Sequence, residues 1–195
     1  MKKAYLDANI LLALSAGEEK EPDQYRLAVR ILDEIKDGKI QAVISSLTLM
    51  EVIAVLRSQK GREKNKLDGL SREQQLDYVL KESKSMYDDL VKELLQLSNL
   101  KFELGKHTDL NKLMSKAFDI LQKIKGKVRF YNRCKRCGTE NVSYSAFKGL
   151  GSDDVIHALL AKDVGCDQLI TFDGDFEDLK GFEEFDGLEF RVFKW

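Results

Sequence analysis

A chain of 195 residues, 43% of them hydrophobic, carries enough apolar side chains for one core, and 33% charged residues with a single Pro predict a helix-rich, water-facing surface. The 32 Lys and Arg nearly cancel the 33 Asp and Glu, so a net charge of −1 excludes a strongly basic or acidic protein and names no partner by itself. No apolar run is long enough to span a bilayer, Asp7 falls where a signal peptide needs its apolar stretch, and three Cys fit a reducing compartment; a cytoplasmic protein is expected.

Tyr5-Leu6 opens a short strand that passes into a helix through Ile10-Leu11-Leu12-Ala13-Leu14. A second helix runs from Asp23 to Lys36, with Leu27, Ile31, Leu32 and Ile35 at helical spacing, and Asp37-Gly38 stops it. Ala42-Val43-Ile44 reads as a buried strand ended by Ser45-Ser46, and the next helix runs from Leu47 through Val52, Ile53, Val55 and Leu56. From Arg62 to about Lys125 the pattern becomes amphipathic helix, with Leu76, Val79, Leu80, Tyr87, Leu90, Val91, Leu94 and Leu97 repeating at three and four, and a second run from Asp109 to Ile124. That predicts a helical hairpin inserted into an α/β domain, packing on it or pairing with a second copy of the chain.

The α/β pattern resumes at Ser152 with a helix through Val155, Ile156, Leu159 and Leu160, then the strand Gln168 to Phe172 and a last strand Phe190 to Val192-Phe193. Alternating strands and helices predict a mostly parallel sheet covered on both faces, with ligands at the carboxyl ends of its strands. The expected organisation is one domain over 1–195, with a helical, basic and Cys-containing insertion over 62–149.

Four acids stand at these strand ends or just inside the helices that follow: Asp7, Glu51, Asp154 and Asp173. Read singly, each has a local explanation. Asp7 caps a helix, Glu51 lies three residues after Thr48 as in a capping box, Asp153 and Asp154 offset the dipole of a helix that Ser152 can cap, and Asp173-Gly174 makes a turn. Read together they change meaning, because Asp7 and Asp173 follow strands that would emerge on one edge of a parallel sheet. Glu51 and Asp154 sit about one turn into helices leaving that edge. No Lys or Arg lies within three positions of Glu51 or Asp154, or of Asp7 on its C-terminal side. Converging carboxylates repel one another unless a cation neutralises them, and oxygen-only ligands suit Mg²⁺ or Mn²⁺.

These residues resemble the PIN-domain family of metal-dependent nucleases, which includes toxin ribonucleases of the VapC type. The resemblance rests on Leu6-Asp7-Ala8-Asn9-Ile10-Leu11-Leu12, on Glu51 in Ser46-Leu47-Thr48-Leu49-Met50-Glu51-Val52, on Asp154-Val155-Ile156-His157-Ala158, and on the Thr171 to Phe176 ending. It covers Lys3 to Arg57 and Gly151 to Phe193. It implies a three-layer α/β/α sandwich and a Mg²⁺- or Mn²⁺-dependent endoribonuclease, with catalytic and metal-ligating roles carried over onto Asp7, Glu51, Asp154 and Asp173. Asn9, Asp153, Thr171 and Asp175 would support them, and His157, one turn after Asp154, would hydrogen-bond a metal-bound carboxylate or pack inside the helix layer. The insertion departs from a minimal toxin, in the region through which toxins meet an antitoxin or RNA.

Within that insertion, Lys123, Lys125, Lys127, Arg129, Arg133, Lys135 and Arg136 surround Phe130-Tyr131 with no acid among them, either a track for unpaired RNA or a solvated basic loop. Cys134 and Cys137 form half a zinc knuckle, to which Cys166 and His107 could contribute only if the fold brought them close, so zinc there is the lesser reading. The leading expectation is an enzyme that cuts single-stranded RNA. The alternative is a catalytically silent RNA- or protein-binding factor, for instance in ribosomal RNA processing. An antitoxin, a ribosome-processing protein and a second copy of the chain are the candidate protein partners.

Overall fold

A computed structural model describes residues 1–103, 110–123, 127–133, 140–148 and 150–194, with residues 110, 122, 127–133 and 140–148 described as backbone alone. Strand β1 (Lys2–Leu6) leads into α1 (Ala8–Ala16) and α2 (Pro22–Lys36), then β2 (Ile40–Ser45) into α3 (Ser46–Gly61). A one-turn α4 (Lys64–Leu67), the long α5 (Arg72–Leu94), β3 (Leu100–Glu103) and α6 (Leu110–Lys123) follow. Next come β4 (Lys127–Arg133), β5 (Glu140–Lys148), α7 (Ser152–Asp163), β6 (Gln168–Thr171), two short 3₁₀ helices (Gly174–Leu179 and Glu183–Phe185) and β7 (Glu189–Val192).

Five strands form one sheet in the order β3-β2-β1-β6-β7, and all four of its pairings are parallel. The carboxyl ends of β1, β2 and β6 therefore lie along one edge. The period of two along each strand divides the core. Ala4 and Leu6 of β1, Ala42 and Ile44 of β2 and Ile170 of β6 face a cluster built from α1, α2, α3 and α5, with Ile10, Ile31, Val52 and Leu94 buried in it. Tyr5, Val43 and Leu169 face the other way, toward Leu113, Ala117 and Ile120 of α6 and Val155, Ala158 and Leu159 of α7. The result is a three-layer α/β/α sandwich.

The expected helical hairpin over 62–125 is corrected. Leu100–Glu103 forms β3, which pairs with β2 from Ala42↔Leu100 to Ser45↔Glu103 and extends the central sheet. The chain crosses the sheet at that point, so α5 and α6 contribute to opposite faces instead of pairing as a hairpin. Helical periodicity in the flanks concealed a four-residue strand whose alternation, Leu-Lys-Phe-Glu, is too short to stand out. Beyond the sandwich, β4 and β5 make a separate antiparallel pair with an irregularity between Tyr131 and Arg133. The basic stretch thus runs along a strand: Lys127, Arg129, Phe130, Tyr131 and Arg133 belong to β4, while Lys125, Lys135, Arg136, Cys134, Cys137 and His107 lie outside the described residues.

Candidate metal centre

Along the edge where β1, β2 and β6 end, Asp7 and Glu51 come together with His157. Asp7 follows β1 directly, is only 6% exposed, and caps α1 by accepting the Ala8 N–H at 2.7 Å through Oδ1. Its Oδ2 accepts the Thr171 hydroxyl at 2.6 Å and the Asn9 side-chain amide at 2.7 Å. Asn9 also donates to Thr171 Oγ1 at 2.9 Å and accepts the Phe172 N–H at 3.0 Å, tying α1 to the end of β6. Asn9 and Thr171 therefore hold Asp7 in place. Burial raises the pKa of Asp7, against the opposing influence of His157, the Thr171 hydroxyl and the Ala8 N–H, while Glu51 raises it further.

Glu51 does not cap its helix. Ser45 is the N-cap of α3 and accepts the Thr48 N–H at 3.1 Å, so the Thr48-to-Glu51 capping box is ruled out and Glu51 stands about one and a half turns into the helix. Its Oε2 instead meets His157 Nε2 at 2.8 Å. His157 is 1% exposed, and its Nδ1 lies 2.7 Å from the Tyr5 hydroxyl, which also meets Ser45 Oγ at 2.5 Å and accepts from Thr48 Oγ1 at 3.2 Å. Chemistry fixes the proton positions: a nitrogen facing a carboxylate must donate, so Nε2 carries hydrogen, and in the neutral ring Nδ1 accepts from Tyr5. Burial alone would lower the His157 pKa, but the Glu51 hydrogen bond and the charges of Asp7, Glu51 and Asp154 raise it overall. Burial also pushes the Tyr5 hydroxyl up, keeping it a neutral donor.

Asp7, Glu51 and His157 offer ligand atoms that all lie within 4.8 Å of one another. Asp154 is outside this tight group but adjoins it electrostatically, through Asp7 and His157, and Asp173 acts on Asp154. Burial raises the Asp154 pKa to about 6, opposed by its bond from the Gly151 N–H and reinforced by Asp173, Asp153 and Asp7. Both outer acids keep their local tasks. Gly151, not Ser152, is the N-cap of α7, and its N–H donates to Asp154 Oδ2 at 2.6 Å; Asp173 Oδ1 accepts the Asp175 N–H at 2.8 Å at the start of a 3₁₀ helix. Asp153 is exposed in the first turn of α7.

No Lys or Arg pairs with any of the four acids among the described residues. A buried Asp7 and a half-buried Asp154, both with raised pKa values and neither paired with Lys or Arg, are carboxylates that a divalent ion would relieve. Sequence reasoning missed the relay of Tyr5, Ser45 and Thr48 behind His157, because its members read as ordinary strand and cap residues. Cys166 is buried, and burial pushes its thiol up to about 12, which leaves it a poor metal ligand. No described helix is long and apolar enough to cross a membrane.

Among family descriptions, that of the PIN domain matches residues 4–181 of this chain. No curated protein matches it. Among solved structures, a chain of VapBC2 from Rickettsia felis, determined bound to a DNA fragment from its promoter, is similar over 99% of this chain and 98% of its own, at 14% identity and a TM-score of 0.48.

Proposed function

This chain belongs to the PIN-domain family, whose members are generally metal-dependent nucleases, and from that premise we propose that it is a Mg²⁺- or Mn²⁺-dependent endoribonuclease cutting single-stranded RNA. The observation that carries the proposal is the convergence of buried Asp7, half-buried Glu51 and buried His157, with no Lys or Arg paired to them among the described residues, beside an Asp154 with its pKa at about 6. A capping role explains neither the depth of Asp7 nor the position of Glu51 within α3.

In this reading Asp7, Asp154 and Asp173 hold the metal, and Glu51 helps hold a second ion or positions the attacking water. A divalent ion bound there would supply Lewis acidity and a water of lowered pKa. The chain's own residues do the rest. Thr171 and Asn9 fix Asp7 in a single orientation before any ligand arrives, and His157 does the same for Glu51 through a hydrogen bond from Nε2. The Tyr5 hydroxyl, itself held by Ser45 and Thr48, keeps the ring in the tautomer that this bond requires. Hydrolysis breaks the P–O3′ bond and leaves a 5′-phosphate and a 3′-hydroxyl. The whole chain acts as one domain, with the β4–β5 pair and its basic residues as a route by which RNA approaches.

The test is cleavage of an unstructured, end-labelled RNA. Activity with Mg²⁺ or Mn²⁺ that disappears in EDTA and in Asp7→Asn is the expected result. Cleavage surviving both changes would remove the metal centre from the reaction.

A further inference from the structure

At the far end of α3 from Glu51, the chain turns through α4 into α5 and forms a groove of about 700 Å³. Lys60, Arg62, Glu63, Lys64, Lys66 and Tyr78 line it. The one acid at its centre is spent internally: Glu63 accepts from Lys60 at 2.8 Å through one oxygen and from the Tyr78 hydroxyl at 2.8 Å through the other. Arg62, Lys64 and Lys66 have no ion-pair partner among the described residues. Glu82, also on the wall, leaves the groove with a surplus of two positive charges.

The turn is held in shape before any ligand arrives. Gln75 donates from one amide nitrogen to Leu67 O at 3.2 Å and Leu70 O at 3.1 Å, and the Ser71–Gln74 capping box anchors the start of α5. Three exposed cations in a fixed turn beside a half-buried, immobilised tyrosine combine phosphate attraction with an aromatic surface for an unpaired base.

Position supplies the rest of the argument. Lys60 and Arg62 are nine and eleven residues beyond Glu51, on or just past the same helix, hence about 14 to 17 Å along its axis at about 1.5 Å per residue. At about 3.4 Å per stacked nucleotide, that separation is about four to five nucleotides. We propose that this groove binds the backbone of a single-stranded RNA about four to five nucleotides from the bond that is cut, so that the enzyme measures a minimum substrate length. The distance to the cut rests on the nuclease reading above; the binding does not.

The experiment compares wild-type protein with Arg62→Ala/Lys64→Ala/Lys66→Ala, three exposed positions, by fluorescence anisotropy in EDTA. The probe is a labelled, unstructured 12-nucleotide RNA, titrated at several salt concentrations. Loss of three phosphate contacts makes the plot of log affinity against log salt shallower by about two and weakens binding at low salt by roughly tenfold or more. A four-nucleotide RNA is too short to reach from the groove to the acidic edge, so wild-type protein is expected to bind it more weakly than the 12-mer. Parallel salt plots with equal affinities overturn the proposal, as does wild-type protein that binds both lengths equally. Preferential capture of a polyglutamate peptide over the 12-mer at these residues overturns it too. Cleavage of either RNA by wild-type protein with Mn²⁺ tests the nuclease reading separately: no cleavage with altered salt plots leaves an RNA-binding groove and removes the enzyme.

Discussion

The two halves of the acidic edge are built differently. Asp7 and Glu51 are fixed by side chains drawn from distant parts of the chain: Thr171 on β6 for the first, His157 on α7 for the second. Asp154 and Asp173 are bound by backbone N–H groups within three residues of themselves. The difference is one of commitment. Asp7 caps α1 as well, but the first pair is also pre-oriented by side chains from distant elements, whereas the second is held by local backbone N–H groups alone. A cation arriving at this edge meets a rigid inner half and an outer half that must divide its oxygens between backbone and ligand.

The sharpest way to break this picture is at Asp7. Asp7→Asn keeps the shape and removes the charge, so cleavage should fall by more than the roughly 10–100-fold expected for a residue that only orients a ligand. Because burial raises the Asp7 pKa, the ionised carboxylate is a strain on the metal-free fold at neutral pH. Thermal melts in EDTA at pH 7.5 should therefore show the variant folded with a Tm close to wild type, relief of the charge offsetting the one hydrogen bond that an amide nitrogen cannot accept. A variant that loses activity only because it unfolds would contradict the assignment.

The next test separates orientation from packing at His157. His157→Gln places an amide nitrogen near the former Nε2 and can still donate to Glu51, while His157→Asn reaches only the neighbourhood of Nδ1. Mn²⁺ affinity measured by calorimetry should fall about 10–100-fold in His157→Asn and much less in His157→Gln. Tyr5→Phe, which leaves the ring without its Nδ1 partner, should fall between them. Equal losses in all three would make the histidine a packing residue.

The outer half makes its own prediction through pH. The Asp154 pKa of about 6 lies above its unfolded value, so the folded protein binds the extra proton between about pH 4 and 6. Its contribution favours folding below about pH 4 and is lost as pH rises through about 6. In EDTA, the Tm of Asp154→Asn relative to wild type should therefore increase from pH 4 to pH 7.5. Added Mg²⁺ should reverse the order at pH 7.5, where wild type gains an ion that the variant holds poorly, and should matter little at pH 4.5. A difference in Tm that is flat with pH would show that Asp154 does not carry strained charge.

How much of this was legible beforehand follows the same division. The βαβα start, the α7–β6 return and the common edge could be read from strand runs and helical spacing, because a parallel sheet writes each strand as a local apolar run. Asp7, Glu51, Asp154 and Asp173 could be placed at that edge for the same reason. Tyr5 and Ser45 could not, since nothing local distinguishes a tyrosine that packs in a core from one whose hydroxyl holds a histidine 152 residues away. β3 was hidden by its length, and β4–β5 by their charge, although Val128, Phe130, Val142 and Tyr144 do alternate. The Lys60 to Lys66 groove is the opposite case: its cations are plain in the sequence, but only the turn into α5 makes them converge.

The mildest perturbation bears on whether capping and ligation compete at Asp154. A Cβ built on Gly151 would lie 2.6 Å from Asp153 Oδ1 and 3.2 Å from Asp154 Oδ2, while the backbone there, at φ −82°, suits any residue. Asp153 is exposed and can swing away, so Gly151→Ala should cost the fold little. Asp154 is more confined and must shift its capping oxygen by a few tenths of an ångström, which loosens its bond to the residue-151 N–H. If capping restrains this carboxylate from serving a metal, Gly151→Ala should leave the apparent Mn²⁺ affinity unchanged or slightly stronger. If the cap instead holds the carboxylate in the geometry that the metal needs, affinity should drop several-fold at unchanged Tm. A titration followed by calorimetry decides between them, and the 2.6 Å bond from Gly151, as short as the one that fixes Asp7, favours the second outcome.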